Sequence, residues 1–292
     1  MPENITPIST RKSTSGATWR PYIVALHDYV ANTSSQWNVI HLTDNGAGND
    51  FGFTLEPDDA AENFYVNWQF DASNLVPRIH IDPQQTITDP LDPVGTGSSE
   101  TSPGGHPAGR SDPGSNESWH NEILIQDWDD ALGFLVKHSS NAYIRHGLIG
   151  GRIYQPTFAG TDVYELDGLG WRGGDPNNVD TTWWRDISTS IGSTSRMRVP
   201  GGWAKVQTRV YDENRSFNPW GTHIPAAILF DVENTQGLTV GVAKYAYGWE
   251  STSGNNGLRR VQSASGDGLL HVSYDGSQKS LVTPWDPTVS PI

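Results

Sequence analysis

Short apolar runs with a period of two residues constrain this chain more than any other feature. Every second residue from Phe64 to Phe70 is large and apolar, and this period is typical of a strand with one buried face. We therefore expect Trp68 to lie in the core. Similar runs predict further strands at residues 22–30, 37–42, 51–55, 76–81, 143–154, 163–166, 204–211, 226–232, 238–247 and 269–274.

Turn-forming dipeptides separate these runs. Asn45-Gly46, Asp167-Gly168, Asp267-Gly268 and Asp275-Gly276 tolerate the positive φ that a tight hairpin requires. Gly and Pro together make 50 of the 292 residues, and both interrupt regular elements, which argues against long helical bundles. Alternating βαβ units are missing from the pattern. The sequence therefore predicts an all-β fold with mainly antiparallel strands.

One helix is predicted, beginning at Asp127. The Asp127 side chain can cap a helix, and apolar residues recur after it at helical spacing. Gly133 interrupts the run. The apolar residues concerned are Trp128, Ala131, Leu132, Leu135 and Val136.

The number of strands predicts a barrel with an insertion. A jelly roll uses eight strands in two sheets, and the sequence offers more than eight. We expect residues 19–82 and about 203–292 to form a jelly-roll β-barrel or sandwich, and about 83–202 to form an inserted, mainly β tower region with long loops. Residues 1–18 are predicted as a polar N-terminal tail. Residues 83–118, which are rich in Pro, Gly, Ser, Thr and Asp, are predicted as a flexible, exposed loop.

Composition excludes several classes of function. The chain has no cysteine, so disulfides, thiolate metal sites and cysteine nucleophiles are excluded. Its formal net charge of −14 repels phosphate backbones, and we expect no direct binding of nucleic acid. No apolar run approaches the roughly 18 residues of a membrane span, and the first thirty residues lack the apolar segment of a secretion signal.

Motifs for metal and nucleotide binding are incomplete. His80 and Asp82 share one face of a predicted strand, but no third ligand accompanies them. Residues 168–173 match GxGxxG, yet Gly-Asp-Pro follows instead of a helix, so we interpret this stretch as a Gly-rich loop. Asp175, Asn177 and Asp180 partly match a calcium loop, but Val179 stands where an oxygen ligand belongs.

Two kinds of side chain leave enzymatic and binding functions open. A glycosidase needs two carboxylates across a cleft, and an acidic chain offers many candidates. The sequence lacks the GxSxG turn of a serine hydrolase. Tryptophans beside Gly, Pro or Asp suit a protein interface or, alternatively, a sugar-stacking surface. The candidate carboxylates are Glu122, Asp127, Glu165 and Glu250, and the tryptophans are Trp171, Trp183, Trp184, Trp220 and Trp249.

The whole chain resembles a family of capsid proteins. From Met1-Pro2-Glu3-Asn4 through Trp285-Asp286-Pro287, it resembles the larger major capsid protein of tailless icosahedral phages of thermophilic bacteria such as Thermus, which have an internal membrane. These proteins belong to the single vertical β-barrel lineage. The resemblance implies a barrel upright on the shell and a tower on its outer face.

The resemblance also implies partners and a location. It implies co-assembly with a second, smaller capsid protein into pseudo-hexameric capsomers, self-association within them, and a location in the virion after assembly in the host cytoplasm. Contact with the internal membrane is expected through the inner face or the N-terminal tail, where Arg11 and Lys12 lie. We expect this tail to order only in the assembled shell. No catalytic residue, cofactor or metal ligand is expected.

Two other functions remain open from the residues alone. The alternative is a carbohydrate-binding or carbohydrate-cleaving β-sandwich that uses surface tryptophans. A cupin-type metal enzyme comes third.

Overall fold

The chain is built mainly of β-strands. The computed structural model describes residues 6–14, 18–59, 64–73, 76–82, 87–92, 106–107, 120–138, 144–154, 166–172, 184–186, 195–199, 202–210, 226–232, 239–250, 257–262, 268–273 and 279–290. Within these ranges there is one α-helix, α1 (Arg20–Asn32). The strands are β1 (Ile8–Ser13), β2 (Trp37–Asp44), β3 (Phe51–Pro57), β4 (Tyr65–Asp71), β5 (Val76–Asp82), β6 (His106–Pro107), β7 (His120–Asp127), β8 (Ala131–His138), β9 (Ile144–Tyr154), β10 (Leu166–Arg172), β11 (Trp184–Asp186), β12 (Ser195–Val199), β13 (Gly202–Val210), β14 (Ala226–Val232), β15 (Thr239–Glu250), β16 (Gly257–Gln262), β17 (Gly268–Ser273) and β18 (Lys279–Trp285).

The strands form two antiparallel sheets. Five strands make one sheet in the order β2-β3-β4-β5-β6, and thirteen make the other around the path β1-β7-β8-β9-β15-β14-β13-β12. β10 pairs with β9 and β11, and β18 pairs with β15 and β17, while β16 pairs with β17. Every pairing between the described strands is antiparallel. The predicted all-β, mainly antiparallel fold is therefore confirmed.

The segment predicted as a strand at residues 22–30 is instead helix α1. Pro21 stands in its first turn, where the missing N–H costs nothing. The carbonyl oxygen of Trp19 accepts from the amides of Tyr22 and Ile23, which starts the helix. The buried side chains follow the period of a helix and not that of a strand. They are Tyr22, Ile23, Ala25, Leu26, Tyr29 and Val30.

The predicted helix at residues 127–136 is also wrong. Asp127 ends β7, and the apolar run after it forms β8, which pairs with β7 and β9. Every side chain from Ala131 to Val136 is buried, because this part of the sheet is covered on both faces. An apolar run without alternation fits a helix and a doubly covered strand equally well.

One hydrophobic core joins the helix to both sheets. Its buried residues come from α1, from β2 to β4, and from β7 and β8. Trp68 is fully buried within it, as predicted, and its ring lies 5.7 Å from that of Phe134 on β8. β7 and β8 fall inside the segment 83–202 that was assigned to the tower. The division of the chain into barrel and tower stays a prediction.

Residues 87–92 pack on the five-stranded sheet, although they were predicted to belong to an exposed loop. Ile87 and Pro90 are buried, and the side-chain amide of Asn67 donates to the Pro90 carbonyl at 3.0 Å. A Cβ at Gly52 would lie 2.7 Å from the same carbonyl oxygen, so only glycine permits this approach.

The predicted polar tail contains strand β1. It pairs with β7 over its whole length, from Ile8 opposite Asp127 to Ser13 opposite Glu122. The Ser9 hydroxyl accepts from the Asp286 amide at 2.9 Å. Residues 8–13 are therefore part of the sheet, while the expectation that the tail orders only in an assembled shell stays a prediction.

Candidate functional site

A cluster of buried polar groups surrounds the turn between β7 and β8 in the described part of the chain. This turn has the sequence Asp127-Trp128-Asp129-Asp130, and the Trp128 amide donates to the Ala131 carbonyl at 2.9 Å to close it. Asp127, Trp128 and Asp130 are buried, while Asp129 is exposed. Two aspartates are thus placed inside the protein by one short turn.

Asp127 faces helix α1 and the segment that follows it. The Tyr29 hydroxyl donates to Oδ2 of Asp127 at 2.9 Å, and the Ser34 hydroxyl donates to the same oxygen at 2.7 Å. The other oxygen, Oδ1, is buried without a hydrogen-bond partner among the described residues. The residue has no exposed surface, so this carboxyl group lies away from bulk solvent and accepts from two neutral hydroxyl groups.

Burial controls the protonation of this carboxyl group. It raises the pKa of Asp127 from 3.8 to about 6, because the charged form loses its hydration, while the donors from Ser34, Tyr29 and Trp37 oppose the rise. The pKa of Tyr29 is also raised, first by burial and then by the nearby Asp127 charge. The Asp127 carboxyl group therefore gains or loses its proton near pH 6, while it is buried in the protein.

Asp130 faces the opposite direction and forms an ion pair with Lys244. The Lys244 ammonium lies 2.6 Å from Oδ2 of Asp130, and the Tyr245 hydroxyl donates to Oδ1 at 2.5 Å. Both partners come from β15. Gly151 of β9 lies against the turn, and a Cβ there would stand 2.3 Å from the Asp130 carbonyl oxygen. The absence of a side chain at this glycine allows β9 to pass the turn.

Trp128 connects the two sides of the turn. Its carbonyl oxygen accepts from Nε1 of Trp37 at 2.9 Å. Its ring stacks on that of Tyr245, with centroids 4.2 Å apart and planes 17° apart. The turn is thus held by α1 and β2 on one side and by β15 on the other.

Gln126 extends the same network to the C-terminal strand. Its Nε2 atom donates to the Thr283 hydroxyl at 2.8 Å and to the Pro284 carbonyl at 2.5 Å. The Thr283 hydroxyl in turn donates to the Tyr245 carbonyl at 2.8 Å. All three side chains are buried. The cluster therefore joins β7, β15 and β18 through directed bonds, which specify how these strands meet.

The chemistry of this site is that of a structural joint with one exchangeable proton. The two carboxyl groups are buried and bonded to neighbouring elements, and a glycosidase would instead need them on opposite walls of a cleft. Asp127 was one of the predicted candidate carboxylates. The structure places it in the interior and adds Asp130 and Lys244, which the sequence did not indicate as functional.

The other candidate carboxylates are not gathered at this turn. Both side-chain oxygens of Glu122 accept from Arg11, at 2.6 and 3.0 Å. Glu250 ends β15, but its side chain lies outside the described part of the structure, and Glu165 lies outside it altogether.

The Gly-rich motif at residues 168–173 does not form the predicted loop. Residues 168–172 belong to β10, which pairs with β9 on one side and with β11 on the other. No helix follows a strand there within the described residues, and a phosphate-binding turn requires one. The incomplete calcium motif at residues 175–180 lies outside the described residues.

The remaining candidates lie on strands or outside the described ranges. His80 and Asp82 are in β5, and Trp171, Trp184 and Trp249 are in β10, β11 and β15, but these side chains fall outside the description. Trp183 and Trp220 are not described. Among the described side chains, no group of three His, Asp or Glu residues could hold a metal ion. No described helix has the length and apolar character to cross a membrane.

Comparison with models of protein families and with curated protein sequences yields no match. The site must therefore be interpreted from its own geometry.

Proposed function

We propose that this chain is a structural major capsid protein. In this proposal it forms a jelly-roll barrel with an outward tower and co-assembles with a smaller capsid protein into pseudo-hexameric capsomers. These capsomers make an icosahedral shell around an internal membrane, and the protein resides in the virion. The proposal combines the whole-chain resemblance with the architecture of the described residues.

The observation that carries the proposal is that β1 and β18, which are far apart in sequence, both bond to β7. Arg11 of β1 binds Glu122 of β7 and also donates to the Ser290 carbonyl at 3.2 Å. Gln126 of the same β7 binds residues of β18. Strand β7 thus bonds to β1 and to β18, the first and last strands of the described part of the chain, and this supports a subunit built around one continuous sheet.

The chemistry of the interior also supports a structural role. Asp130, Lys244 and Gln126 direct hydrogen bonds to neighbouring strands, and directed bonds of this kind favour one arrangement of a core. They stabilise a subunit whose function is association with other subunits.

Mass spectrometry of density-gradient fractions from a lysate of the source culture tests the proposal. We expect this chain in high copy in fractions that contain lipid, together with a smaller abundant protein at a constant ratio. Treatment with a detergent should shift both proteins to another density, whereas soluble proteins should not move. Recovery of the chain only among free soluble proteins would overturn the proposal.

A glycan titration tests the alternative function directly. Trp fluorescence of the purified chain is followed with a panel of polysaccharides, and a capsid subunit should show no saturable change. A saturable change that is lost in Trp171→Ala, Trp183→Ala or Trp184→Ala would replace the capsid proposal with a carbohydrate-binding function.

A further inference from the structure

The contacts of Asp127 form a joint between parts of the chain that are far apart in sequence. Residues 29–37 supply Tyr29, Ser34 and Trp37, and residues 127–131 supply the carboxyl group and the Trp128 carbonyl oxygen. We call these two segments and their contacts the Asp127 joint. Two of its three bonds end on a single oxygen atom, Oδ2 of Asp127.

We propose that Asp127 is a proton-operated latch, which holds the Asp127 joint closed when its carboxyl group is protonated and weakens the joint when the group ionises.

Among the described residues, no positive charge contributes to the pKa of Asp127. Helix α1 presents the Tyr29 hydroxyl, the segment after it presents Ser34, and β2 presents Trp37, all of them neutral donors. From β1, Thr10 hydrogen-bonds to Tyr29. An ionised carboxylate buried among neutral groups loses more hydration energy than these donors return.

The described cations near the turn are engaged elsewhere. The amide of Arg152 donates to the Asp130 carbonyl, and its guanidinium lies over the Phe64 ring, 5.2 Å from the ring centroid. On β1, Lys12 donates its ammonium proton to the Ala25 carbonyl at 3.2 Å. On the other side of the turn, Lys244 is bound to Asp130. The third aspartate of the turn, Asp129, is exposed and supplies no positive charge. Protonation of Asp127 is thus the available means of removing its buried charge.

The direction of the pH effect follows from this arrangement. In the closed joint the pKa of Asp127 is about 6, and in the opened chain it returns to its ordinary value of 3.8. Between these values the closed form binds more protons than the open form, so closure becomes weaker as the pH rises. Above about pH 6 the loss is complete and amounts to about 100-fold in the closing equilibrium.

Hydrogen exchange at several pH values tests the latch in the intact chain. After correction for the intrinsic pH dependence of exchange, peptides that cover residues 29–37 and 127–131 should lose protection from pH 4.5 to pH 7.5. Peptides from β3 and β4 serve as the internal reference. Equal protection of the joint at both pH values would overturn the proposal.

A matched pair of variants separates the latch from a general effect of acidity. Asp127→Asn keeps an acceptor for Tyr29 and Ser34 but cannot ionise, so the pH-dependent loss of protection should disappear. Asp58→Asn removes an exposed carboxyl group and should keep the pH dependence of the parent chain. If Asp127→Asn retains the parent's pH dependence, another group is responsible and the proposal fails.

A direct titration covers the case in which Asp127→Asn does not fold. The carboxyl carbon resonances of the parent chain, labelled at aspartate with 13C, are followed from pH 3 to pH 8. The latch requires one aspartate that titrates near pH 6, with a shift of the Tyr29 ring resonances at the same midpoint. Titration of every aspartate below about pH 4.5 would overturn the proposal.

Discussion

Asp127 and Asp130 are two buried aspartates of one turn, three residues apart, and their charges are handled differently. Asp127 is surrounded by neutral donors and has a raised pKa of about 6. Asp130 is 2.6 Å from the Lys244 ammonium and also receives the Tyr245 hydroxyl. One carboxyl group therefore exchanges a proton near neutral pH, whereas the other is compensated by a fixed charge.

The difference teaches that position within a turn does not determine the behaviour of a buried acid. Both side chains are buried at the same turn, but they lie on opposite sides of it. Asp127 faces α1, and Asp130 faces β15. A buried charge is tolerated when a partner supplies the opposite charge and the remaining hydrogen bonds. The neighbours contributed by distant segments therefore determine whether a buried carboxyl group is protonated near pH 6 or is compensated by a cation.

Among the changes proposed here, removal of the Lys244 ammonium should cause the largest loss in the free energy of unfolding. Lys244→Met leaves the Asp130 carboxylate buried with the Tyr245 hydroxyl as its described partner. Breaking a buried ion pair from one side costs about 3–5 kcal/mol. We expect a loss of this size in the free energy of unfolding at pH 7, measured by denaturation in urea.

A double variant controls for the loss of the lysine stem. Asp130→Asn combined with Lys244→Met removes both charges, and it should recover a large part of the stability that Lys244→Met loses. If the double variant is as unstable as the sum of the two single variants, the ion pair is not the source of the loss.

Some of the fold could be predicted from sequence because the signal was local. The strands around Phe64–Phe70 and at residues 226–232 alternate or stand between turn residues, and the structure confirms them. Helix α1 also carried a local signal, since Pro21 precedes apolar residues with helical spacing. The strand predicted at residues 22–30 is wrong because the contiguous apolar residues 22–26 fit a buried strand as well as a helix.

Other parts could not be predicted, because they depend on distant segments. Residues 131–136 are apolar on both faces of β8 because the sheet is covered on both sides, and their spacing alone does not distinguish this from a helix. Strand register pairs β8 with β9 and brings β15 to the turn, and no local pattern specifies such neighbours. Lys244, 114 residues from Asp130, could not be recognised as its partner.

A side chain at Gly151 should disturb the Asp130 side of the turn by crowding. A Cβ there would lie 2.3 Å from the Asp130 carbonyl oxygen and 2.4 Å from the Ala131 Cβ. Overpacking of a rigid interior costs about 1–3 kcal/mol, and we expect Gly151→Ala to fall at the upper end in thermal denaturation. Gly46→Ala is the matched control for backbone conformation, since Gly46 also has a positive φ but has open space around it. A similar loss in both variants would show that crowding is not the cause.

Removal of the Ser34 hydroxyl should raise the pKa of Asp127 and so increase the difference between the two aspartates. Ser34→Ala takes away the hydroxyl that lies 2.7 Å from Oδ2 of Asp127. Because this bond lowers the pKa of Asp127, its loss should raise that pKa further. A bond to a charged acceptor is worth about 1.5 kcal/mol or more, and one to a neutral acceptor about 1 kcal/mol or less.

We therefore expect the destabilisation caused by Ser34→Ala to depend on pH. The destabilisation should be about 1.5 kcal/mol at pH 8 and smaller at pH 4.5, where Asp127 is protonated in the folded chain. Urea denaturation at the two pH values measures the difference. Ser35→Ala, at an exposed neighbouring position, is the control and should show no such difference. A cost for Ser34→Ala that is equal at both pH values would mean that the hydroxyl does not bond to a titrating group.

The smallest effect is expected at an ion pair that remains in contact with water. Arg11 forms an ion pair with both oxygens of Glu122. Unlike the buried pair of Lys244 and Asp130, this pair is partly exposed, since 32% of the Arg11 side chain is accessible to solvent. Water already hydrates this guanidinium, so little hydration energy is at stake when the pair breaks. Arg11→Met should cost less than about 1 kcal/mol, and 1 M NaCl should reduce the difference from the parent chain because salt screens exposed charges. Lys244→Met measured in the same salt should keep most of its larger loss. An equal response of the two variants to salt would contradict the distinction between a buried and an exposed pair on which the comparison of the two aspartates depends.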